Sequence, residues 1–190
     1  MNNQTIHDYL FDRREGFLQR WHSEYTTRKE SLAEHQWFVT RNAMLICQAL
    51  KNFQIEWPDT ETCIRMAMFH DEAEILTGDV SGKAKRLWPI IKEAMNEAED
   101  NVIEEMYKSL PENMQVYMWY PLARYRYFKE DDMEAQIVKY CDILDAHIFA
   151  TTEHNLGNTY LDDAIERTTD WLKQMQWPWL QELREEINLP

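Results

Sequence analysis

The stretch Met66-Ala67-Met68-Phe69-His70-Asp71-Glu72-Ala73-Glu74-Ile75-Leu76-Thr77-Gly78-Asp79 decides how this chain is read. Its apolar residues recur at helical spacing, Pro58-Asp59-Thr60 opens the helix, and Gly78 suits its C-terminal cap. The expected inward stripe is Ile64, Ala67, Met68, Asp71 and Ile75, so a carboxylate interrupts an apolar face. His70 lies about 100° round the helix from Asp71, so both can border one cleft.

The same anomaly recurs on either side. Ser31-Leu32-Ala33-Glu34 has the capping-box pattern and starts a helix to about Phe53, with the stripe His35, Val39, Ala43, Ile46 and Leu50. A long helix from about Asp131 to His154 carries Asp142 among Val138, Cys141, Ala146 and Phe149, and Asn155-Leu156-Gly157-Asn158 terminates it. Two imidazoles and two carboxylates are thus expected to point inward from three helices.

The remaining pattern is also helical. A first helix is expected over Ile6 to Trp21, followed by a loop from Ser23 to Glu30. Helical segments between Ser81 and Leu110 break near Pro89, and another runs from Pro111 to Phe128 with a break or kink at Pro121. Thr159 to Gln176 and Pro178 to Ile187 form a final pair. With no repeat, linker or low-complexity tract, the expectation is an all-α helical bundle forming one domain over residues 1–190.

Composition narrows the function. The 190 residues include 20 Lys+Arg against 34 Asp+Glu, a net charge of −14. That field repels a long nucleic acid but admits a small nucleotide where a metal ion and a few cations reverse it locally. With 4 Gly there is little material for a glycine-rich phosphate cradle. Cys47, Cys63 and Cys141 lack the spacing of a zinc ribbon or a disulfide framework, which points to a reducing cytosol. Neither a signal peptide nor a membrane span is expected.

Buried carboxylates and imidazoles are costly unless paired or metal-bound. Singly, each has an ordinary explanation: a hydrogen-bonded core histidine, or a salt-bridged aspartate. One divalent ion accounts for all four of His35, His70, Asp71 and Asp142 together. Mixed nitrogen and oxygen donors suit Co, Mn, Ni, Fe or Zn, with Mg also admitted.

The order His35, then His70-Asp71, then Asp142 resembles the H…HD…D signature of the HD-domain phosphohydrolases. MAMFHDEAEILTGD, SLAEHQWF and IVKYCDILDA are similar to the three motif blocks of their bacterial 5′-deoxynucleotidase branch, and Arg20-Trp21 matches an Arg-Trp pair in its first helix. The resemblance implies the HD fold, with His35, His70, Asp71 and Asp142 as metal ligands and Glu74 as acid/base group. Glu74 is also one turn from His70 on the same helical face. By resemblance again, Arg20 clamps the phosphate, Trp21 borders the nucleoside, and Asp79, Val80, Ser81 and Gly82 meet the sugar.

Where relatives often carry prolines and one lysine, this chain has VSGKAKR, so Lys83, Lys85 and Arg86 form a denser basic cluster beside the expected cleft. A solvated charge run is the ordinary account of such a cluster, and accommodation of extra phosphate is the functional one. The expected reaction is hydrolysis of deoxyribonucleoside 5′-monophosphates to deoxynucleoside and phosphate. Alternatives are a deoxynucleoside triphosphate triphosphohydrolase, which the basic cluster favours, and a non-catalytic nucleotide-sensing module. The resemblance and the aromatic content of 13% imply a homo-oligomer. His7, His22, His147, His154 and Asp145 are set aside as ligands.

Overall fold

The computed structural model describes residues 10–108, 110–128 and 130–190. After a short 3₁₀ turn at Arg14–Gly16 come two strands, β1 (Gln19–Arg20) and β2 (Glu30–Ser31). Helices follow in the order α1 (Leu32–Asn52), α2 (Thr60–Phe69), α3 (Glu74–Thr77), α4 (Gly82–Leu87), α5 (Pro89–Tyr107), α6 (Glu112–Tyr127), α7 (Met133–Asn155), α8 (Asp162–Gln174) and α9 (Pro178–Ile187). The fold is all-α apart from the β1–β2 pair. No helix among the described residues is long and apolar enough to cross a membrane.

Local chemistry sets several helix ends. Ser31 and Glu34 form the reciprocal capping box that starts α1. Asp59 accepts from the amides of Glu61 and Thr62 at the start of α2, and Asp132 accepts from the amide of Ala135 at the start of α7. Pro89 and Pro178 occupy first turns, where the missing N–H costs nothing. Gly78 takes φ 78° after α3, a left-handed value that a side chain would strain. Pro121 stays inside α6, which continues through it to Tyr127.

Two expectations change here. The expected helix over Ile6–Trp21 is not formed: residues 1–9 lie outside those described, Leu10 and Phe11 are helical, and Gln19–Arg20 is a strand. It pairs antiparallel with β2, Gln19 opposite Ser31 and Arg20 opposite Glu30. Trp21 then takes φ 55°, which ends the strand and turns the chain.

The helix expected from Pro58 to Gly78 is also interrupted, at residues 70–73. There the amides of Glu72 and Glu74 bond three residues back, to Phe69 and Asp71, instead of four. The buried face of α2 is Thr62, Cys63, Met66 and Ala67, while Met68 of the expected stripe is exposed. α2 is apolar on two sides, so periodicity alone did not fix its rotation.

The main core lies between α1, α2 and α7, closed by α8 and α9. Val39, Ala43, Cys47, Leu50, Cys63, Met66, Val138, Cys141, Leu172 and Leu180 are all fully buried in it. A second cluster, of Ala73, Ile103, Met106, Tyr107, Leu110 and Leu122, packs α5 and α6 against the 70–77 segment. A third joins Phe149 and Ala150 of α7 to Leu161 and Ala164, with Trp21 against it.

The loop between β1 and β2 is held by one buried carboxylate. Glu153 accepts from Thr27 N (2.6 Å), Thr27 Oγ1 (2.7 Å), Arg28 N (3.3 Å) and Asn158 Nδ2 (2.7 Å). Burial pushes its carboxyl up, but these donors outweigh it and hold it below the usual value. A depressed folded value gives stability above the unfolded one, near 4.5, and that stability is lost as pH falls through the folded value. Glu153→Ala should therefore cost about 2–4 kcal/mol at pH 7, leaving buried donors unpaired. The difference in urea denaturation between parent and variant should shrink below pH 4; an equal difference at both pH values contradicts this account.

Candidate active site

The tight winding at residues 70–73 brings neighbours in sequence to one point. His70 Nε2 lies 3.1 Å from Asp71 Oδ2, although side chains one residue apart on a regular helix diverge by about 100°. α1 adds His35 Nε2, which is 3.3 Å from His70 Nε2 and 3.7 Å from Asp71 Oδ2. α7 adds Asp142 Oδ1, 3.4 Å from His35 Nε2 and 3.9 Å from His70 Nε2.

The imidazoles are aimed by their other nitrogens. His35 Nδ1 is 2.7 Å from Asp145 Oδ2, and His70 Nδ1 is 2.9 Å from the Ala67 carbonyl. Facing oxygen acceptors, both Nδ1 atoms can donate, and in neutral rings that would direct the two Nε2 lone pairs at each other. Two fully buried lone pairs in contact repel unless something positive lies between them. Ligands sharing an ion at about 2.1 Å stand roughly 3.0–3.4 Å apart. His35 Nε2, His70 Nε2 and Asp71 Oδ2 come close to that spacing, with Asp142 Oδ1 3.4 and 3.9 Å from the two imidazoles, so the donor set fits one divalent ion. Asp71 and Asp142 keep 24% and 19% of their side chains exposed, which leaves the point open on one side.

The electrostatics alternate in sign. Burial works against ionised Asp71, but His70 and Arg20 hold its carboxyl well below the usual range. Burial also opposes ionised Asp142, and Lys139, His35 and His70 outweigh it. For Arg20, burial disfavours the charge, while Asp71, Asp142, Glu30 and Glu74 keep it protonated. Arg20 Nη1 donates to Asp71 Oδ2 at 3.2 Å, with Nε 3.6 Å from Glu30 Oε2. Trp21 Nε1 donates to that same Glu30 oxygen at 3.0 Å, and its ring stacks on Phe149 with centroids 5.4 Å apart.

Glu74 is buried, and its Oε2 has no hydrogen-bond partner. Burial first, then the nearby carboxylates of Asp71 and Asp79, push it up to about 9. Arg20 and Lys85 oppose this shift without cancelling it.

Beside the ligand point lies a cavity of about 520 Å³, lined by Arg20, Trp21, Asp79, Ser81, Gly82, Lys83, Arg86, Lys139 and Asp142, among others. Its far wall is α8, with Asp163, Ala164, Arg167, Thr168 and Trp171. Val80 and Lys85 are not on this wall, and Lys85 Nζ instead lies 3.7 Å from Glu99 Oε1 on α5.

Several residues escaped sequence reasoning. Asp145, set aside as a ligand, is the buried partner of His35; its position one turn after Asp142 on the same buried face was the available signal. Lys139, one turn before Asp142, is 2.8 Å from its Oδ2. Tyr125 packs edge-on to His70, with centroids 5.7 Å apart. His22 borders the cavity 3.8 Å from Asp79, whereas His147 pairs with Thr168 and His154 with Asp162; His7 lies outside the described residues.

A family model described as 5′-deoxynucleotidase YfbR-like matches residues 13–188. A 5′-deoxynucleotidase of Photobacterium profundum is 28% identical over 176 residues, covering 92% of this chain and 89% of its own. A human 5′-deoxynucleotidase is 26% identical over 152 residues, covering 78% of this chain and 67% of its own. Among solved structures, an HD-domain phosphohydrolase of Listeria innocua superposes with a TM-score of 0.80 at 18% identity, over 97% of this chain and 88% of its own. A cyanophage S-2L HD phosphohydrolase, bound to dA and one catalytic Zn²⁺ ion, gives 0.59 at 18% identity, over 92% and 93%.

Proposed function

The chain belongs to the 5′-deoxynucleotidase YfbR-like family, and on that premise we propose that it hydrolyses deoxyribonucleoside 5′-monophosphates to deoxynucleoside and phosphate. The observation that carries this reading is the convergence of His35 Nε2, His70 Nε2, Asp71 Oδ2 and Asp142 Oδ1 beside Arg20. In it these four side chains are the ligands of one divalent ion. When bound, the ion supplies Lewis acidity to a phosphoryl oxygen and to water.

The chain's own groups do the rest. Arg20, kept charged by its carboxylate neighbours, faces the phosphate and stabilises charge developing on its oxygens. Its planar fork is braced by β1–β2 pairing and Glu30, so little side-chain freedom is lost on binding. Glu74, buried beside the ligand point, delivers a proton to the departing 5′ oxygen and can take one from water. Asp145 is a positioning residue: it fixes the tautomer and direction of His35. Trp21 borders the nucleoside, and Asp79, Ser81, Gly82 and Lys83 form the wall that meets the sugar. The ligand set and Glu74 are all present, which speaks against a non-catalytic sensing module.

Phosphate release from deoxynucleoside monophosphates tests this. It should stop after exhaustive chelation and return with added Co, Mn, Ni, Fe, Zn or Mg. Undiminished release after the metal content has been driven to zero would overturn the reading.

The protein works in this reading as a cytosolic homo-oligomer. Trp88 and Ile90 at the start of α5, and Trp119, Tyr120, Tyr127 and Phe128 along α6 and its end, leave large apolar area exposed. Light scattering at micromolar concentration should give a multiple of 23.0 kDa, and a monomeric mass contradicts it.

A further inference from the structure

Two arginines on the cavity wall have no task in the reaction above. Arg86 of α4 and Arg167 of α8 approach one indole, their guanidinium carbons 5.7 and 5.6 Å from the Trp171 ring centroid. All three side chains line the cavity that holds Asp142 and Arg20.

Neither is neutralised by a carboxylate at ion-pair distance among the described residues. In a chain with 34 acidic residues, Arg14, Arg20, Arg28, Arg65, Arg124 and Arg126 each have a carboxylate at ion-pair distance. Among the described residues, Arg86 and Arg167 have none. Arg167 Nε is buried without a hydrogen-bond partner, and its Nη1 reaches the Asp163 carbonyl at 3.3 Å. Arg86 folds back over the first turn of α4, where a Cβ on Gly82 would meet its Nη1 at 3.1 Å. Burial and the adjacent Arg167 both weigh against the charge of Arg86. Two neighbouring cations with free donors in one cavity present what a phosphoryl dianion binds: forked N–H groups and uncompensated positive charge.

We propose that Arg86 and Arg167, supported by Trp171, form a second phosphoryl-group subsite, which takes the additional phosphate of a nucleotide that carries more than the one at the ligand point. The inference rests on the nucleotide reading of the cavity. The second group can sit on the sugar or extend the 5′ chain, and both present the same dianion.

Isothermal titration calorimetry on the Glu74→Gln protein, as purified and without added metal, separates these sources. The probes are deoxyadenosine 5′-monophosphate, deoxyadenosine 3′,5′-bisphosphate and deoxyadenosine 5′-triphosphate. At least one of the latter two should bind about tenfold or more tightly than the monophosphate, from added charge-assisted hydrogen bonds. An advantage for the bisphosphate places the group on the sugar, and one for the triphosphate places it on the 5′ chain. In the R86Q/R167Q background that advantage should vanish. Equal binding of all three, or an advantage that survives the double replacement, overturns the subsite. Both side chains reach solvent, and circular dichroism verifies that the double variant folds. Inorganic pyrophosphate decides the matter without a nucleoside, since it should bind about tenfold more weakly once both arginines are replaced. Unchanged pyrophosphate affinity sinks the subsite. Arginine-dependent pyrophosphate binding with no binding of any nucleotide sinks the nucleotide reading and leaves the subsite standing.

Discussion

Replacing Glu74 by Gln should lower kcat on deoxynucleoside monophosphates by roughly 10²–10⁴-fold, the span expected for losing one proton-transfer group. Gln keeps the size and hydrogen-bonding outline of the side chain but cannot move a proton. Glu74 is buried, one oxygen lacks a partner, and its carboxyl is pushed up to about 9, so it costs the fold energy, and its side chain makes no hydrogen bond among the described residues. The variant should therefore be at least as stable as the parent and keep its metal. Parent-like kinetics in Glu74→Gln would move proton transfer to another group; lost metal or lost folding would make Glu74 structural.

Substitution at the ligand point should act differently. His70→Ala and Asp142→Ala each remove a donor, and the metal content should fall with the activity. Residues that orient a ligand cost about 10–100-fold when replaced, so a ligand itself should cost more than roughly 100-fold. Asp145→Asn, which weakens the hold on His35 Nδ1, belongs in the lower range, with metal retained at saturating concentration. Full occupancy and activity in either alanine variant would contradict the proposed ligand set.

Much of the frame was legible. Ser31, Asp59, Gly78 and Gly157 mark helix ends through their own side-chain or backbone chemistry, which needs no tertiary partner. His35 could be placed inward because Val39, Ala43, Ile46 and Leu50 repeat with it at helical spacing. The strand at Arg20 left no such trace: two residues carry no period, and their conformation depends on pairing with Glu30 and Ser31. The break after Phe69 was also hidden, since His70 to Ala73 contains no proline or glycine and the tighter winding is set by tertiary packing. Asp145, Arg167 and Trp171 acquire meaning only once α7 and α8 lie beside α1 and α4.

The most direct test follows the phosphorus itself. Purified protein with a divalent ion is incubated separately with a deoxynucleoside 5′-monophosphate and its 5′-triphosphate, and the products are observed by phosphorus NMR. The account predicts that the monophosphate signal is replaced by inorganic phosphate, and that the conversion is lost in Glu74→Gln. Intact triphosphate released from the triphosphate, with the monophosphate left untouched, would contradict it.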